Sequence, residues 1–165
     1  MEMKAYLDNN IVSSIARDDT ASESDALDAL MAAYDAGKVD LVTSELTLEE
    51  IKKYSSPRRK PVERTFRLLE KVPVVGWDEL LGIHSYGDQY TWISSPMIQN
   101  DSLYDALLKT GLGTTDARHV FVAAKQACTV FLTCDRGILS RCGDISRLCG
   151  LIVQKPSALV ASQGW

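Results

Sequence analysis

Hydrophobic positions along this chain fall into two kinds of segment. Short apolar runs bounded by turn residues predict buried strands, and longer stretches with apolar residues three and four apart predict amphipathic helices. Residues 4–7 (KAYL) form the first run, which stops on an acid, Asp8, followed at once by Asn9 and Asn10. Val39–Thr43 (VDLVT) is a second, Thr129–Thr133 (TVFLT) is the clearest, and Leu151–Val153 is a last one, closed by Pro156. Val72–Trp77 reads as a short extended segment, and Pro73 within it, lacking a ladder donor, predicts a sheet edge.

Helical patterns lie between these runs. Ile11 and Ile15 space a short helix that Arg17-Asp18-Asp19 breaks. Ser22–Ala36 presents Ala26, Leu27, Leu30, Met31 and Tyr34 on one stripe, with Ser22 or Ser24 as a cap and Gly37 as a stop. Ser44 is placed to cap a helix through Tyr54, which Ser55-Ser56-Pro57 ends, and Pro61 suits the first turn of another running to Lys71. Asp101–Lys109 predicts a short helix, Gly111 and Gly113 a turn, and Thr115-Asp116 the opening of a strong helix to Ala127. Residues 78–100 fit neither template. Strands alternating with helices predict an α/β fold, with one domain over 1–165 and a mostly parallel central sheet. Ligand sites in such sheets lie at the carboxyl ends of the strands, where Asp8 stands.

Composition narrows the classes. With 165 residues, 45% of them hydrophobic, the chain is long enough to bury one sizeable core. No apolar run reaches the roughly 18 residues of a membrane span, and no signal peptide opens the chain, so a soluble, cytoplasmic protein with no membrane partner is expected. Cys128, Cys134, Cys142 and Cys149 lack metal or redox spacing and read as free thiols. A net charge of −4 argues against a nucleic-acid partner unless acids converge on cations.

Several acids do converge on one predicted edge. Asp8 follows the first strand, Asp135 follows Thr129–Thr133, Glu45, Glu49 and Glu50 begin the helix after Val39–Thr43, and Asp116 opens its own helix. Clustered carboxylates raise one another's pKa, and a hard divalent cation relieves that repulsion.

At four places the chain resembles the PIN-domain proteins, a family that includes the ribonuclease toxins of bacterial toxin–antitoxin modules. The pieces are "AYLDNNI", "TSELTLEEI", "GTTDARHVFVAAK" and "VFLTCDRGIL", in the family's order and spanning almost the whole chain. The resemblance implies a three-layer α/β/α fold and a Mg²⁺- or Mn²⁺-dependent endoribonuclease whose metal-holding, catalytic acids are Asp8, Glu50, Asp116 and Asp135. It implies hydrolysis by activated water, with no side-chain nucleophile. Asn10 matches a small polar position near the metal, and Thr133 a residue supporting the last acid. RNA, preferably single-stranded, is the implied substrate, an antitoxin protein an implied partner and a homodimer an implied assembly.

Other readings stand beside these. Asp8 and Asp135 suit ordinary turns, Asp116 suits a helix N-terminus with Thr115 as its cap, and Glu49 or Glu45 competes with Glu50. His119 suits a base, a phosphate contact or a structural histidine; His84 has no visible partner. Lys52, Lys53, Arg58, Arg59, Lys60, Arg64, Arg67 and Lys71 make a basic run, read either as a solvated face or, through Arg64 and Arg67, as an RNA contact. Tyr86, Tyr90 and Trp92 suit base stacking or packing. Rival functions are a phosphatase on a similar sheet, which Asn10 in place of a second Asp disfavours, and an inactive PIN-like scaffold that binds RNA or protein.

Overall fold

A computed structural model describes residues 3–14, 21–47, 71–75 and 101–165. Five strands form one sheet: β1 (Lys4–Leu7), β2 (Asp40–Ser44), β3 (Val74–Val75), β4 (Val130–Leu132) and β5 (Ile152–Gln154). Every pairing is parallel, and the order is β3-β2-β1-β4-β5. The chain moves outward from β1 in one direction through β2 and β3, then returns to its other side for β4 and β5. The switch point therefore lies between β1 and β4.

The described helices are α1 (Asn9–Ser14), α2 (Ala21–Asp35), α3 (Ser102–Lys109), α4 (Thr114–Lys125), α5 (Arg136–Leu139), α6 (Cys142–Cys149) and α7 (Pro156–Gln163). They cover both faces. On one, Tyr6, Val42 and Phe131 meet Tyr104, Leu107, Val120, Phe121, Ile138 and Ile145 of α3–α6. On the other, Ala5, Leu7, Leu41, Val130 and Leu132 meet Ile11, Leu27, Leu30 and Leu159 of α1, α2 and α7. Alternate strand residues point to opposite faces, so β1 divides its side chains between two cores. The result is a three-layer α/β/α sandwich, with β1 and β4 buried on both sides.

Local sequence explains most boundaries. Asp101 caps α3 by accepting from Leu103 N and Tyr104 N. Gly37, after α2, takes φ +67°, the left-handed conformation that ends a helix at little cost in glycine. The chain leaves α4 through the same kind of turn, with Ala127 at φ +53°. Cys128 N donates to Ala123 O and Ala127 N to Ala124 O, the paired bonds of a Schellman motif built on alanine. Val74–Val75 is an extended segment after Pro73, paired with β2, as expected.

Two local expectations are corrected. Pro156 opens α7 at its first turn instead of only closing the last strand. Thr115 does not cap α4: the N-cap is Gly113, which has no side chain to bond that end. Ser44, the last residue of β2, directly precedes helical residues 45–47, in the position expected of a cap, and its hydroxyl meets a tyrosine. The break at 17–19, the helix expected over 61–70 and the aromatics Tyr86, Tyr90 and Trp92 lie outside the described residues, as does His84. No helix among the described residues is long and apolar enough to cross a membrane.

Candidate metal centre at the carboxyl edge of the sheet

Asp8 follows β1 directly, at the switch point. Its backbone N–H donates to Leu132 O, extending the β1–β4 ladder by one step. The pleat then puts Asp8 on the same face as Tyr6, and Thr133 on the same face as Phe131. The Tyr6 and Phe131 rings stack at 5.3 Å between centroids, 12° from parallel. One step further along the strands, Thr133 Oγ1 donates to Asp8 Oδ2 at 2.7 Å. Asp8 is only 4% exposed and Thr133 fully buried, so this charge-assisted bond is sheltered from water.

Thr133 also links the second acid. Its Oγ1 accepts from the backbone N of Asp135 at 3.0 Å. One hydroxyl thus joins the carboxylate after β1 to the chain after β4. Asp135 is the N-cap of α5: its Oδ1 accepts from Gly137 N at 2.6 Å and Ile138 N at 3.1 Å. The turn expected at Thr-Cys-Asp-Arg-Gly is a capped helix start, and half of this carboxylate is committed to it.

Asp116 stands in the first turn of α4, favourable ground for an acid because the helix dipole is positive there. The helix runs antiparallel to β1. Lys4 Nζ donates to Gln126 O at the amino edge, and His119 Nδ1 meets Tyr6 Oη at 2.7 Å midway. From Lys4 to Asp8 the strand advances about 13 Å at about 3.3 Å per residue. From Gln126 to Asp116 the helix covers about 15 Å at about 1.5 Å per residue. The third acid therefore lies near the level of the first along the sheet, on the same face.

His119 is buried, at 1% exposure, against Tyr6, which fits its structural reading. Tyr6 Oη also meets Ser44 Oγ at 2.6 Å, and burial pushes the phenol above its ordinary pKa. Neither Tyr6 nor Ser44 was a candidate from sequence. The available signal was parity: Tyr6 is two residues before Asp8, so both must share a face.

The remaining candidates divide. Asn10 is half-buried in the first turn of α1, two residues past Asp8, and Glu45 is exposed at the end of β2. Glu49, Glu50, Arg64 and Arg67 lie outside the described residues. Lys71, the last residue of the basic run, pairs with Asp35 at 3.0 Å. Both precede strands, β3 and β2, so this pair sits at the amino edge, opposite the acids. None of the four cysteines is in a disulfide: Cys128 is buried, with its thiol pushed up to about 11 by desolvation, and Cys142 is exposed.

Carboxylate and hydroxyl oxygens are the donor chemistry of Mg²⁺ or Mn²⁺. Among the described residues, no group of three or more His, Cys, Asp or Glu side chains could hold a metal ion. Asp8, Thr133 and Asp135 are joined by hydrogen bonds, Asp116 stands in the first turn of α4, and Glu50, the expected fourth acid, lies outside the described residues.

No family model matches the chain, and no curated protein sequence does. Among solved structures, the crystal structure of VapBC2 from Rickettsia felis bound to a DNA fragment from their promoter contains a similar chain. The identity is 14% and the TM-score 0.57, over 93% of this chain and 98% of that one. At that identity the likeness is one of fold alone: an α/β domain, here with a five-stranded, wholly parallel sheet.

Proposed function

We propose that the protein is a divalent-cation-dependent endoribonuclease of PIN type, acting on single-stranded RNA as the toxin of a two-protein toxin–antitoxin pair. The observation that carries this reading is the hydrogen-bonded run Asp8–Thr133–Asp135 at the switch point of a parallel sheet, where α/β folds bind ligands. The fold shared with a chain of a VapBC2 complex supports the toxin reading and a small protein partner.

Asp8, Asp116, Asp135 and Glu50 would hold Mg²⁺ or Mn²⁺. Such an ion, when bound, supplies positive charge that stabilises charge developing on a phosphodiester and makes water a better nucleophile. The protein's own part is placement. Thr133 donates to one oxygen of Asp8 and so holds that carboxylate at the end of β1. The α5 cap holds Asp135, and the α4 dipole favours the ionised form of Asp116. Asn10, two residues beyond Asp8, orients water or substrate, and Arg64 and Arg67 contact phosphates of the RNA.

The test is RNA cleavage by the purified chain with Mg²⁺ or Mn²⁺, with chelator, and in Asp8→Asn and Asp116→Asn. Metal-dependent cleavage lost in both variants supports the reading; cleavage unchanged in both ends it. Phosphate release from small phosphomonoesters would indicate a phosphatase, and RNA binding without either activity a scaffold.

A further inference from the structure

We infer that the buried Tyr6–Ser44–His119 cluster is a positioning device that holds the acid-bearing segments in register and thereby sets the affinity of the site for its divalent cation. The inference rests on the proposed role of the acids as cation ligands.

Three elements meet at one phenol. Tyr6 Oη, from β1, lies 2.6 Å from Oγ of Ser44 at the end of β2 and 2.7 Å from Nδ1 of His119 on α4. Exposures of 0%, 2% and 1% put all three out of reach of water. Two members stand one short step from a candidate ligand: Tyr6 precedes Asp8 by two residues on one face of β1, and His119 follows Asp116 by three residues, one turn along α4. Ser44 ties the end of β2 to the same phenol.

The chemistry of the cluster makes it directional. A neutral phenol has one proton, so it donates to one neighbour and accepts from the other. Only one arrangement of β1, β2 and α4 closes both short contacts. Aliphatic packing would not impose this, since it tolerates sliding, and it is what the opposite face of β1 uses at Ala5 and Leu7. The stacked Tyr6 and Phe131 rings lie one step back along the same two strands from the Asp8–Thr133 bond, on the same face of the sheet, so the register that fixes the phenol is the register of the carboxylate.

The experiment measures Mn²⁺ binding to the full chain by electron paramagnetic resonance of the free ion, together with melting of the metal-free protein. Tyr6→Phe removes the hydroxyl and keeps the ring; affinity should fall about tenfold, as when groups supporting metal ligands are lost. The Mn²⁺ concentration for half-maximal RNA cleavage should rise by the same factor, with the rate at saturating Mn²⁺ little changed. His119→Leu should act alike, and His119→Asn, which keeps a polar atom near Nδ1, should recover most of the loss. Ser44→Ala provides a milder cut should Tyr6→Phe not fold. As a control, Leu132→Val on the opposite face should lower melting and leave Mn²⁺ affinity alone. Equal affinity in the wild type and Tyr6→Phe, or in Ser44→Ala if that is the variant that folds, overturns the inference and leaves the acid-site reading standing. A wild-type chain that binds no Mn²⁺ overturns both.

Discussion

The two faces of the sheet are made from the same strands yet hold different kinds of core. The α1, α2, α7 face is aliphatic where it meets the sheet, and its buried polar contacts lie at the margins, in Thr43–Thr47 and Glu23–Ser157. The α3–α6 face carries an aromatic stack, then a phenol bonded to serine and histidine, then a carboxylate bonded to threonine. Aliphatic contacts supply stability without direction, roughly in proportion to area buried. Short hydrogen bonds supply direction and contribute little net stability. One face of β1 anchors the fold, and the other sets the orientation of the Asp8 carboxylate.

Neighbouring residues on β4 separate these duties most sharply. Leu132→Ala empties the aliphatic side and should cost about 2–5 kcal/mol, with no change in the cation requirement of the folded fraction. Phe131→Ala should cost about 3–5 kcal/mol and also raise that requirement, because Tyr6 loses the ring it stacks on. Urea unfolding read beside Mn²⁺ titration checks the pair; an identical cation response in both would erase the distinction between the faces.

Thr133→Val keeps shape and removes the hydroxyl shared by Asp8 and Asp135. It should destabilise by about 1–3 kcal/mol, since a buried carboxylate loses its donor, and should depress cleavage more than stability. Retention of full cleavage at saturating cation would place the working acids elsewhere.

A smaller effect is expected at Asp101, which caps α3 and pairs with Lys125 at 2.9 Å. The Lys125 hydrogen bond, with backbone donors from Leu103 and Tyr104, holds its carboxyl below the usual aspartate range. Asp101→Ala should cost about 1 kcal/mol near neutral pH. A lowered folded-state pKa means that this contribution is present above the unfolded value and fades as pH falls through the folded one. The gap between variant and wild type should therefore close below about pH 4 in denaturant titrations.

The smallest change, and the only gain, is Ala127→Gly. An alanine at φ +53° carries a left-handed penalty that glycine does not, so the Schellman turn after α4 should stabilise by about 1 kcal/mol. A loss in calorimetry would mean that the turn is held by something other than backbone preference.

Much of the fold was legible in the chain because it depends on local pattern. β1 and β4 are apolar runs cut off by an acid or a threonine, α2 shows a clear stripe and its Gly37 stop, although Ser22 and Ser24 lie inside it and not at its N-cap, and Asp101–Lys109 shows both a stripe and a cap. Other elements were obscured for physical reasons. α6 is short, opens on Arg141 with no side-chain cap bond and carries Gly143 in its first turn, so nothing marks its start, and α7 hid behind Pro156, which stops a strand and starts a helix equally well. Gly113 took the cap position from Thr115 because the helix begins at Thr114, two residues earlier than a Thr115 cap would place it, with no side-chain cap bond to announce it. At the site, the order of acids along the chain was readable, but their linkage was not. The bond from Thr133 to Asp8 needs β4 beside β1, and the Tyr6 cluster needs β2 on the other side, facts that exist only after the sheet assembles.

The most direct measurement is RNA cleavage by the wild type and Asp8→Asn at saturating Mg²⁺ or Mn²⁺, with both proteins shown to fold. Cleavage that chelator abolishes, and that Asp8→Asn reduces by about a hundredfold or more, is the predicted result. Cleavage by Asp8→Asn at the wild-type rate would contradict the claim that the carboxylate at the switch point holds the catalytic cation.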